Sequence, residues 1–196
     1  SGDARIRAAR FPPGFAVPAR LAFGLRRPRR PILGSACSGV VEAVGSEVDG
    51  LAPGDEVCGM VGARMGAHAE LVVAAADRMV PKPAAVTHDD AAGVLFGGTT
   101  ARWFLHDKAA VAAGSTVLVN GASGAVGTNA VQLARRAGAT VTGVCSGANA
   151  TLVTGLGAHR VIDHTIVDLA TVAERFDVVF DAVGNLTAAS GRRLLN

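Results

Sequence analysis

The sequence contains no tyrosine and has only three cysteines, Cys37, Cys58 and Cys145. Without tyrosine, no phenol can act as an acid in this segment. The cysteines show no paired spacing, which argues against a disulfide framework or a cysteine-rich metal site and indicates a reducing compartment. No run approaches the roughly 18 apolar residues of a membrane helix, and no signal peptide opens the chain. We therefore expect a cytoplasmic protein that does not enter a membrane.

The net charge of +3 is small but unevenly placed. Residues 1–30 contain eight arginines and one aspartate, whereas the remaining 11 Lys/Arg and 15 Asp/Glu residues give −4. An arginine-rich arm is one means of binding nucleic acid or an acidic partner. We favour the alternative of a solvated segment in a sequence that uses arginine in place of lysine. Nucleic acid is therefore not an expected partner.

The stretch from residue 117 to residue 134 has the pattern of a strand, a glycine-rich turn and a helix. Ala122, Gly124 and Gly127 occupy the three small-residue positions of the G-x-G-x-x-G fingerprint. Small residues allow the backbone to approach a pyrophosphate, whose charge faces the N–H groups at the helix N-terminus. A glycine-rich structural turn is the alternative. The flanking strand and helix favour a cradle in which four residues direct backbone N–H groups at the pyrophosphate: Ser123, Gly124, Ala125 and Val126.

The first and second halves of the chain differ in pattern, which indicates two domains. In the first, short apolar runs between Gly/Pro turns predict a small antiparallel β-domain with strands at 38–45, 56–59 and 68–73. Residues 1–32 contain five prolines, so this segment is expected to be irregular, with at most a short helix near 19–25. Thr87 is expected to cap a helix, and a second helix is expected from Thr99 to about residue 108.

From residue 116 onward, strands alternate with helices, which predicts an α/β fold with an open parallel sheet. We expect strands near 116–120, 140–145, 160–163 and 177–182, and helices near 124–137, 148–156, 166–174 and 186–195. A complete dinucleotide-binding sheet has six strands. The four strands expected here therefore indicate part of a longer protein.

Several motifs follow one another in the order found in the medium-chain dehydrogenase/reductase superfamily, which the chain resembles. They lie at residues 34–55, 66–70, 80–83, 98–101 and in the cradle. The most similar branch is that of the zinc-free, zeta-crystallin-like quinone oxidoreductases. The resemblance implies a partial GroES-like catalytic domain over residues 1–93 and a Rossmann domain over 94–196 that stops after the fourth strand, with the nicotinamide between them.

The resemblance allows the presence of zinc to be judged from the sequence. Gly34-Ser35-Ala36 stands where zinc members of the superfamily have Gly-His-Glu, so that histidine ligand is missing. The lobe with four closely spaced cysteines is also missing. Cys37, Cys58 and His68 are scattered over different predicted strands, whereas catalytic zinc needs three converging ligands. We expect no zinc.

The position that sets cofactor choice lies near the end of the second Rossmann strand. An NAD-preferring site carries an acid there, but residues 144–149 contain none. Ser146 matches the small hydroxylic residue of the resembling NADPH enzymes and can donate to a 2′-phosphate. No Lys or Arg stands at 147–150, which weakens the argument. We expect NADPH to be preferred over NADH.

The resemblance also implies further cofactor contacts. His164 would lie at the adenosine end, or would simply face solvent. Thr99 would lie near the nicotinamide ribose, or would be an ordinary helix N-cap. Ala182 and Val183 would flank the nicotinamide.

The implied reaction is zinc-independent hydride transfer from NADPH to a quinone or an α,β-unsaturated carbonyl compound, by a homodimer when full length. No catalytic residue is assigned: Asp3, Arg5 and Arg7 are expected to be surface charges, and Trp103 is expected in the core. The alternative is a non-catalytic nucleotide-binding protein, or an RNA-binding one, that retains the NADPH site.

Overall fold

The computed structural model describes residues 2–9, 14, 16–24 and 29–196. It divides into two compact units, Ser1–Leu95 and Phe96–Asn196. Part of the arginine-rich arm, namely Arg10, Arg26 and Arg27 with the side chain of Arg5, lies outside the described part. Within the described part, no helix is long and apolar enough to cross a membrane.

The first unit contains a three-stranded antiparallel sheet. Its strands are β1 (Ala36–Val40), β2 (Glu56–Met60) and β3 (Met79–Pro81), in that order across the sheet. Helices α1 (Gly2–Arg7) and α2 (Ala16–Phe23) precede it. The expected irregularity of residues 1–32 was therefore wrong at α1, although the short helix near 19–25 is present as α2.

The predicted strand at 68–73 is wrong. Residues 68–70 form bends and residues 71–75 have an irregular backbone, and the third strand lies at β3 instead. The alternation of apolar and polar residues resembled a half-buried strand, but Leu71 is 71% exposed and Val73 is 84% exposed. β1 also ends at Val40, five residues earlier than predicted, and the backbone is irregular at 41–45.

The second unit contains a four-stranded parallel sheet, as predicted. Its strands are β4 (Thr116–Asn120), β5 (Thr140–Cys145), β6 (Arg160–Asp163) and β7 (Val178–Asp181), in the spatial order β6-β5-β4-β7. Helices α4 (Ala125–Arg136), α5 (Ala150–Gly155) and α6 (Ala188–Arg193) confirm three of the four predicted helices. The helix expected at 166–174 is reduced to a single 3-10 turn, Leu169–Thr171, which Asp168 caps. This unit is the Rossmann-like half of the expected fold.

The helix that follows β3 in the chain differs from the prediction in two respects. Thr87 caps it as predicted, because its Oγ1 accepts from Asp90 N at 3.1 Å. However, α3 (His88–Arg102) is continuous and runs into a π-helical segment, Trp103–Lys108. Thr99 therefore lies inside a helix and is not an N-cap. The helix continues through Gly97. Glycine is needed at this position for close packing, because a Cβ there would lie 2.3 Å from the carbonyl oxygen of Ala125.

The core of the second unit covers both faces of the parallel sheet. Val117 and Val119 pack with Val131 of α4 on one face, whereas Leu118 packs with Phe176 on the other. Trp103 was expected in this core but is 48% exposed. Its neighbours in the π-helical segment explain this difference, since Leu105 takes the buried position and Lys108 lies over the Trp103 ring.

Candidate functional site

The glycine turn after β4 is closely packed against its surroundings. Gly121 has φ +79°, and a Cβ at this position would lie 2.7 Å from Cγ2 of Val183. A Cβ on Gly127 would lie 2.1 Å from the carbonyl oxygen of Gly121. Since carbon cannot approach a backbone oxygen so closely, the start of α4 requires glycine at residue 127, whereas the left-handed φ of Gly121 favours glycine in the turn. This packing brings the backbone of the turn to the helix N-terminus, as a phosphate cradle requires.

The predicted pyrophosphate-binding residues lie at the end of this turn and in the first turn of α4. Gly124 is the N-cap residue, and among the described residues no side-chain hydrogen bond caps it. The first N–H groups of a helix have no partner within it, so the N–H groups of Ala125 and Val126 lie at a helix end of the kind that can bind an anion. The N–H of Gly124 is engaged differently, because it donates to Gly121 O at 3.0 Å. Ser123 is half-buried beside them.

Ser146 follows β5 and lies beside an amide that the sequence interpretation missed. Asn149 Nδ2 lies 3.2 Å from Ser146 Oγ and 3.3 Å from Ser123 Oγ. A 3-10 turn, Gly147–Asn149, brings the asparagine back toward the strand end, and its N–H donates to Ser146 O at 2.9 Å. Asn149 thus links the cradle to the predicted 2′-phosphate position.

A carboxylate also lies near this strand end, although it comes from β6 and not from β5. Asp163 pairs in register with Cys145, and a Cβ on Gly147 would lie 2.5 Å from its Oδ2. Hydrogen bonds from the side chain and then the backbone of Thr165 lower the pKa of Asp163 against a smaller effect of burial. The group is therefore ionised at neutral pH. His164, next in the chain, donates its backbone N–H to Cys145 O and has an exposed side chain.

The loop after β7 contains the predicted residues Ala182 and Val183, both exposed. Its backbone folds around Asp181, whose carboxylate accepts from Val183 N, Gly184 N and Leu186 N, each at 3.0 Å. The side chain of Asn120 joins this carboxylate at 2.9 Å. The sequence pattern did not reveal Asn120 or Asp181 as site residues.

The structure therefore groups most of the predicted residues at the carboxyl ends of β4, β5 and β7, where open parallel sheets bind ligands. Thr99 is exposed on α3. The side chain of Asp3 is half-buried and lies 3.5 Å from His68 Nε2.

The candidate zinc ligands of the first unit do not converge. Cys37 lies opposite Gly59 and Cys58 lies opposite Ser38 in the β1–β2 ladder, so the two side chains point to opposite faces. Burial, and then the neighbouring Cys58, raise the pKa of Cys37, which disfavours the thiolate that zinc requires. Among the described residues, no group of three or more His, Cys, Asp or Glu side chains could hold a metal ion.

Comparison with known proteins covers both units. Residues 11–84 match the family described as alcohol dehydrogenase GroES-like domain, and residues 125–196 match the family described as zinc-binding dehydrogenase. The chain is 36% identical over 162 residues to a quinone oxidoreductase of Pseudomonas aeruginosa, an alignment that covers 79% of this chain and 50% of that protein.

Two solved structures are also similar. Quinone oxidoreductase of Escherichia coli, complexed with NADPH, gives a TM-score of 0.80 at 27% identity, covering 99% of this chain and 57% of that one. The CurK enoyl reductase gives a TM-score of 0.75 at 26% identity, covering 87% and 52%. The chain thus spans about half the length of these relatives.

Proposed function

Because the chain belongs to the medium-chain dehydrogenase/reductase superfamily, in its quinone oxidoreductase-like branch, we propose that the protein transfers a hydride from NADPH to a quinone or an α,β-unsaturated carbonyl compound. The observation that carries this proposal is the cradle, in which Gly127 admits no side chain and Gly121 has the left-handed φ that favours glycine. The names of the similar proteins, a quinone oxidoreductase and an enoyl reductase, support the two acceptor classes.

The residues present fit a dinucleotide, which supplies the hydride chemistry when bound. The N-terminus of α4, with Ala125 and Val126 first, would hold the pyrophosphate. Ser123, Gly124 and Ala122 would shape the turn around it. At the adenosine end we propose Ser146 and His164, and at the nicotinamide end Thr99, Ala182 and Val183.

We further propose that NADPH is preferred over NADH through hydrogen bonding and not through a cation. Ser146 and Asn149 offer a hydroxyl and an amide where an NAD site would place an acid. The Asp163 carboxylate near Gly147 repels a 2′-phosphate. We therefore expect the preference for NADPH over NADH to be smaller than a Lys or Arg contact with the 2′-phosphate would give.

Zinc independence is part of the same proposal. The divergent side chains of Cys37 and Cys58 support it, as does the absence of a histidine at residues 34–36. The cytoplasm is the proposed location, which suits three free cysteines, two of them buried. A homodimer is proposed for the complete protein.

The test combines binding, turnover and metal content. The purified chain is titrated with NADPH and NADH by nicotinamide fluorescence, then supplied with a panel of quinones and enones while NADPH absorbance is followed. Metal analysis before and after chelation completes the experiment. We expect tighter binding of NADPH, oxidation by at least one acceptor and no stoichiometric zinc.

The second candidate is a nucleotide-binding protein without turnover, because the cradle supports nucleotide binding and no catalytic residue is assigned. Tight NADPH binding without oxidation of any acceptor, in a longer form of the protein that includes the sequence flanking this chain, would establish that candidate and overturn the enzyme proposal. Salt-dependent RNA binding that is lost on neutralising Arg26, Arg27, Arg29 and Arg30 would support the RNA-binding alternative instead.

A further inference from the structure

Asn120 and Asp181 end two neighbouring parallel strands and face each other in register. The strand order β6-β5-β4-β7 reverses direction at β4, since β5 and β6 extend to one side and β7 lies on the other. The carboxyl ends of β4 and β7 therefore form the topological switch point of the sheet, which is the place where such sheets bind dinucleotides.

The two side chains share a closed set of hydrogen bonds. Asn120 is 3% exposed, and its Nδ2 donates to Asp181 Oδ1 at 2.9 Å and to Asn185 Oδ1 at 2.7 Å. Asp181 Oδ1 also accepts from Val183 N and Gly184 N, and Oδ2 accepts from Leu186 N. The loop at residues 182–186 is thus tied at four positions to the ends of β4 and β7.

This tied loop packs directly on the cradle. A Cβ on Gly121 would lie 2.7 Å from Cγ2 of Val183 and 3.7 Å from Val183 N. Gly121 opens the turn that receives the pyrophosphate, and Val183 is proposed to flank the nicotinamide. A shift of the loop would therefore change the distance between the two halves of the cofactor site.

We propose that Asn120 and Asp181 are positioning residues, which hold the loop at 182–186 at a fixed distance from the glycine cradle so that the nicotinamide half of the cofactor meets a preformed surface. This inference rests on the proposed function, because it assumes that the cradle binds NADPH. Neither residue is assigned a contact with the cofactor.

The electrostatics of Asp181 fit positioning better than acid–base chemistry. Burial raises its pKa, but the N–H groups of Leu186, Gly184 and Val183, together with Asn120, outweigh burial and hold the pKa below the usual range of an aspartate. The carboxylate is therefore ionised at neutral pH and has no proton to give. Its lone pairs are directed at donors of this chain.

The opposite end of the same strand pair offers a matched control. Asp177 lies just before β7, and its Oδ2 accepts from Thr116 N at 2.8 Å and from Thr116 Oγ1 at 2.9 Å at the start of β4. Its Oδ1 accepts from Asn196 Nδ2 at 2.7 Å. Asp177 thus joins β4 to β7 as Asp181 does, but at the amino ends of the strands, away from the switch point.

The experiment compares Asp181→Asn, Asn185→Ala and Asp177→Asn with the wild-type chain. Fluorescence titration gives the Kd for NADPH, and competition gives the Kd for 2′,5′-ADP, which lacks the nicotinamide half. Amide hydrogen exchange of residues 182–186 and thermal unfolding are measured without cofactor. Asn185→Ala guards against misfolding, because the residue is exposed and the substitution removes a single hydrogen bond of the set, the one from Asn120.

We expect Asp181→Asn to weaken NADPH binding about tenfold or more, since the amide NH2 that replaces one oxygen cannot accept a hydrogen bond and the remaining bonds lose the charge of the carboxylate. Binding of 2′,5′-ADP should stay within about twofold of wild type, and exchange at 183, 184 and 186 should accelerate. Asn185→Ala should also weaken NADPH binding, but by a smaller factor than Asp181→Asn. Asp177→Asn should lower the melting temperature without changing either Kd.

Two results overturn the inference while leaving the proposed function intact. In the first, the wild-type chain binds NADPH, and Asp181→Asn and Asp177→Asn weaken this binding by the same factor. In the second, amide hydrogen exchange at residues 182–186 is faster in Asp181→Asn than in the wild-type chain, but the Kd for NADPH is unchanged. By contrast, a wild-type chain that binds neither NADPH nor NADH overturns the proposed function and the positioning role with it.

Discussion

The side-chain amide of Asn149 lies 3.2 Å from the hydroxyl oxygen of Ser146, at the end of β5. The same Nδ2 reaches Ser123 Oγ in the cradle at 3.3 Å. A single neutral side chain therefore connects the two places at which we propose that the cofactor's phosphates are held. We therefore expect a longer, charged side chain at residue 149 to reach the 2′-phosphate proposed to lie at Ser146.

Asn149→Lys is expected to increase the preference for NADPH over NADH by about tenfold, because a charge-assisted hydrogen bond to phosphate exceeds a neutral one by about 1–2 kcal/mol. The ratio of the two Kd values at low and high salt measures the effect. The gain should shrink as salt rises, since the new pair is partly exposed. Asn149→Met is the control, because methionine is similar in length to lysine but carries no charge. A lysine variant with the same ratio as the methionine variant would show that residue 149 does not face the 2′ position.

Gly127→Ala is expected to destabilise the protein by about 1–3 kcal/mol or more, because the new Cβ overlaps the backbone of the preceding turn. The contact would be 2.1 Å to Gly121 O and 2.8 Å to the Cα of Ala122. Thermal unfolding and NADPH titration should both show the loss.

Gly191→Ala in α6 is the matched control for this substitution. A Cβ there has open space within 4 Å, and the residue is helical. Alanine should therefore raise stability by about 0.5–1 kcal/mol through its helix propensity. Equal effects of the two substitutions would contradict the close packing of the cradle.

The parallel sheet was predictable because its strands are buried on both faces. Residues 117–119 are a continuous apolar run, and all three are fully buried in the structure. The strands of the β-domain were harder to predict, because a strand needs a neighbouring strand to pair with as well as an alternating sequence pattern. Leu71 and Val73 alternate with polar neighbours yet remain exposed, whereas β3 has only three residues and too little pattern to be recognised.

The side chains that organise the site were not predictable for a related reason. Asn120 and Asp181 are 61 residues apart, and only the register of two parallel strands brings them together. Asn149 faces Ser146 because a 3-10 turn intervenes between β5 and α5. The small residues of the cradle left a local signature in the sequence, whereas these polar contacts depend on tertiary structure.

Ser38 and His88 provide a test of the first unit that does not involve the cofactor site. Ser38 Oγ donates to Val57 O at 2.9 Å and lies 2.7 Å from His88 Nδ1. Because the hydroxyl has one proton, and the bond to Val57 O uses it, we assign Nδ1 of His88 as the donor to Ser38. Nitrogen-15 NMR at neutral pH should show a proton on Nδ1 of His88.

Ser38→Ala removes the acceptor of this bond and should cost about 1 kcal/mol of unfolding free energy. Ser46→Ala, at an exposed turn, should cost nothing measurable. Detection of His88 with an unprotonated Nδ1 would contradict the assigned direction of the bond.

Glu56 lies at the Nε2 side of His88, and its surroundings predict that the stability of the protein depends on pH. Its carboxylate lies 3.1 Å from Lys82 Nζ and 3.3 Å from His88 Nε2. The hydrogen bond from Lys82 and then its charge lower the pKa of Glu56, with a smaller contribution from His88 and against burial. A carboxyl whose pKa is lower in the folded state stabilises the fold above its unfolded pKa, about 4.3. That stabilisation is lost as the pH falls through the folded pKa.

Glu56→Gln should therefore lower the melting temperature at pH 7, and its difference from wild type should shrink steadily below about pH 4. Glu47→Gln, at an exposed loop position, is the control and should show no such difference at either pH. Lys82→Met should lose the same dependence and also cost about 1–3 kcal/mol, because Val86 O, which Lys82 Nζ contacts at 2.6 Å, is left without that donor. A Glu56→Gln difference that stays constant from pH 7 to pH 3 would show that the carboxylate charge contributes nothing to the stability of the folded state.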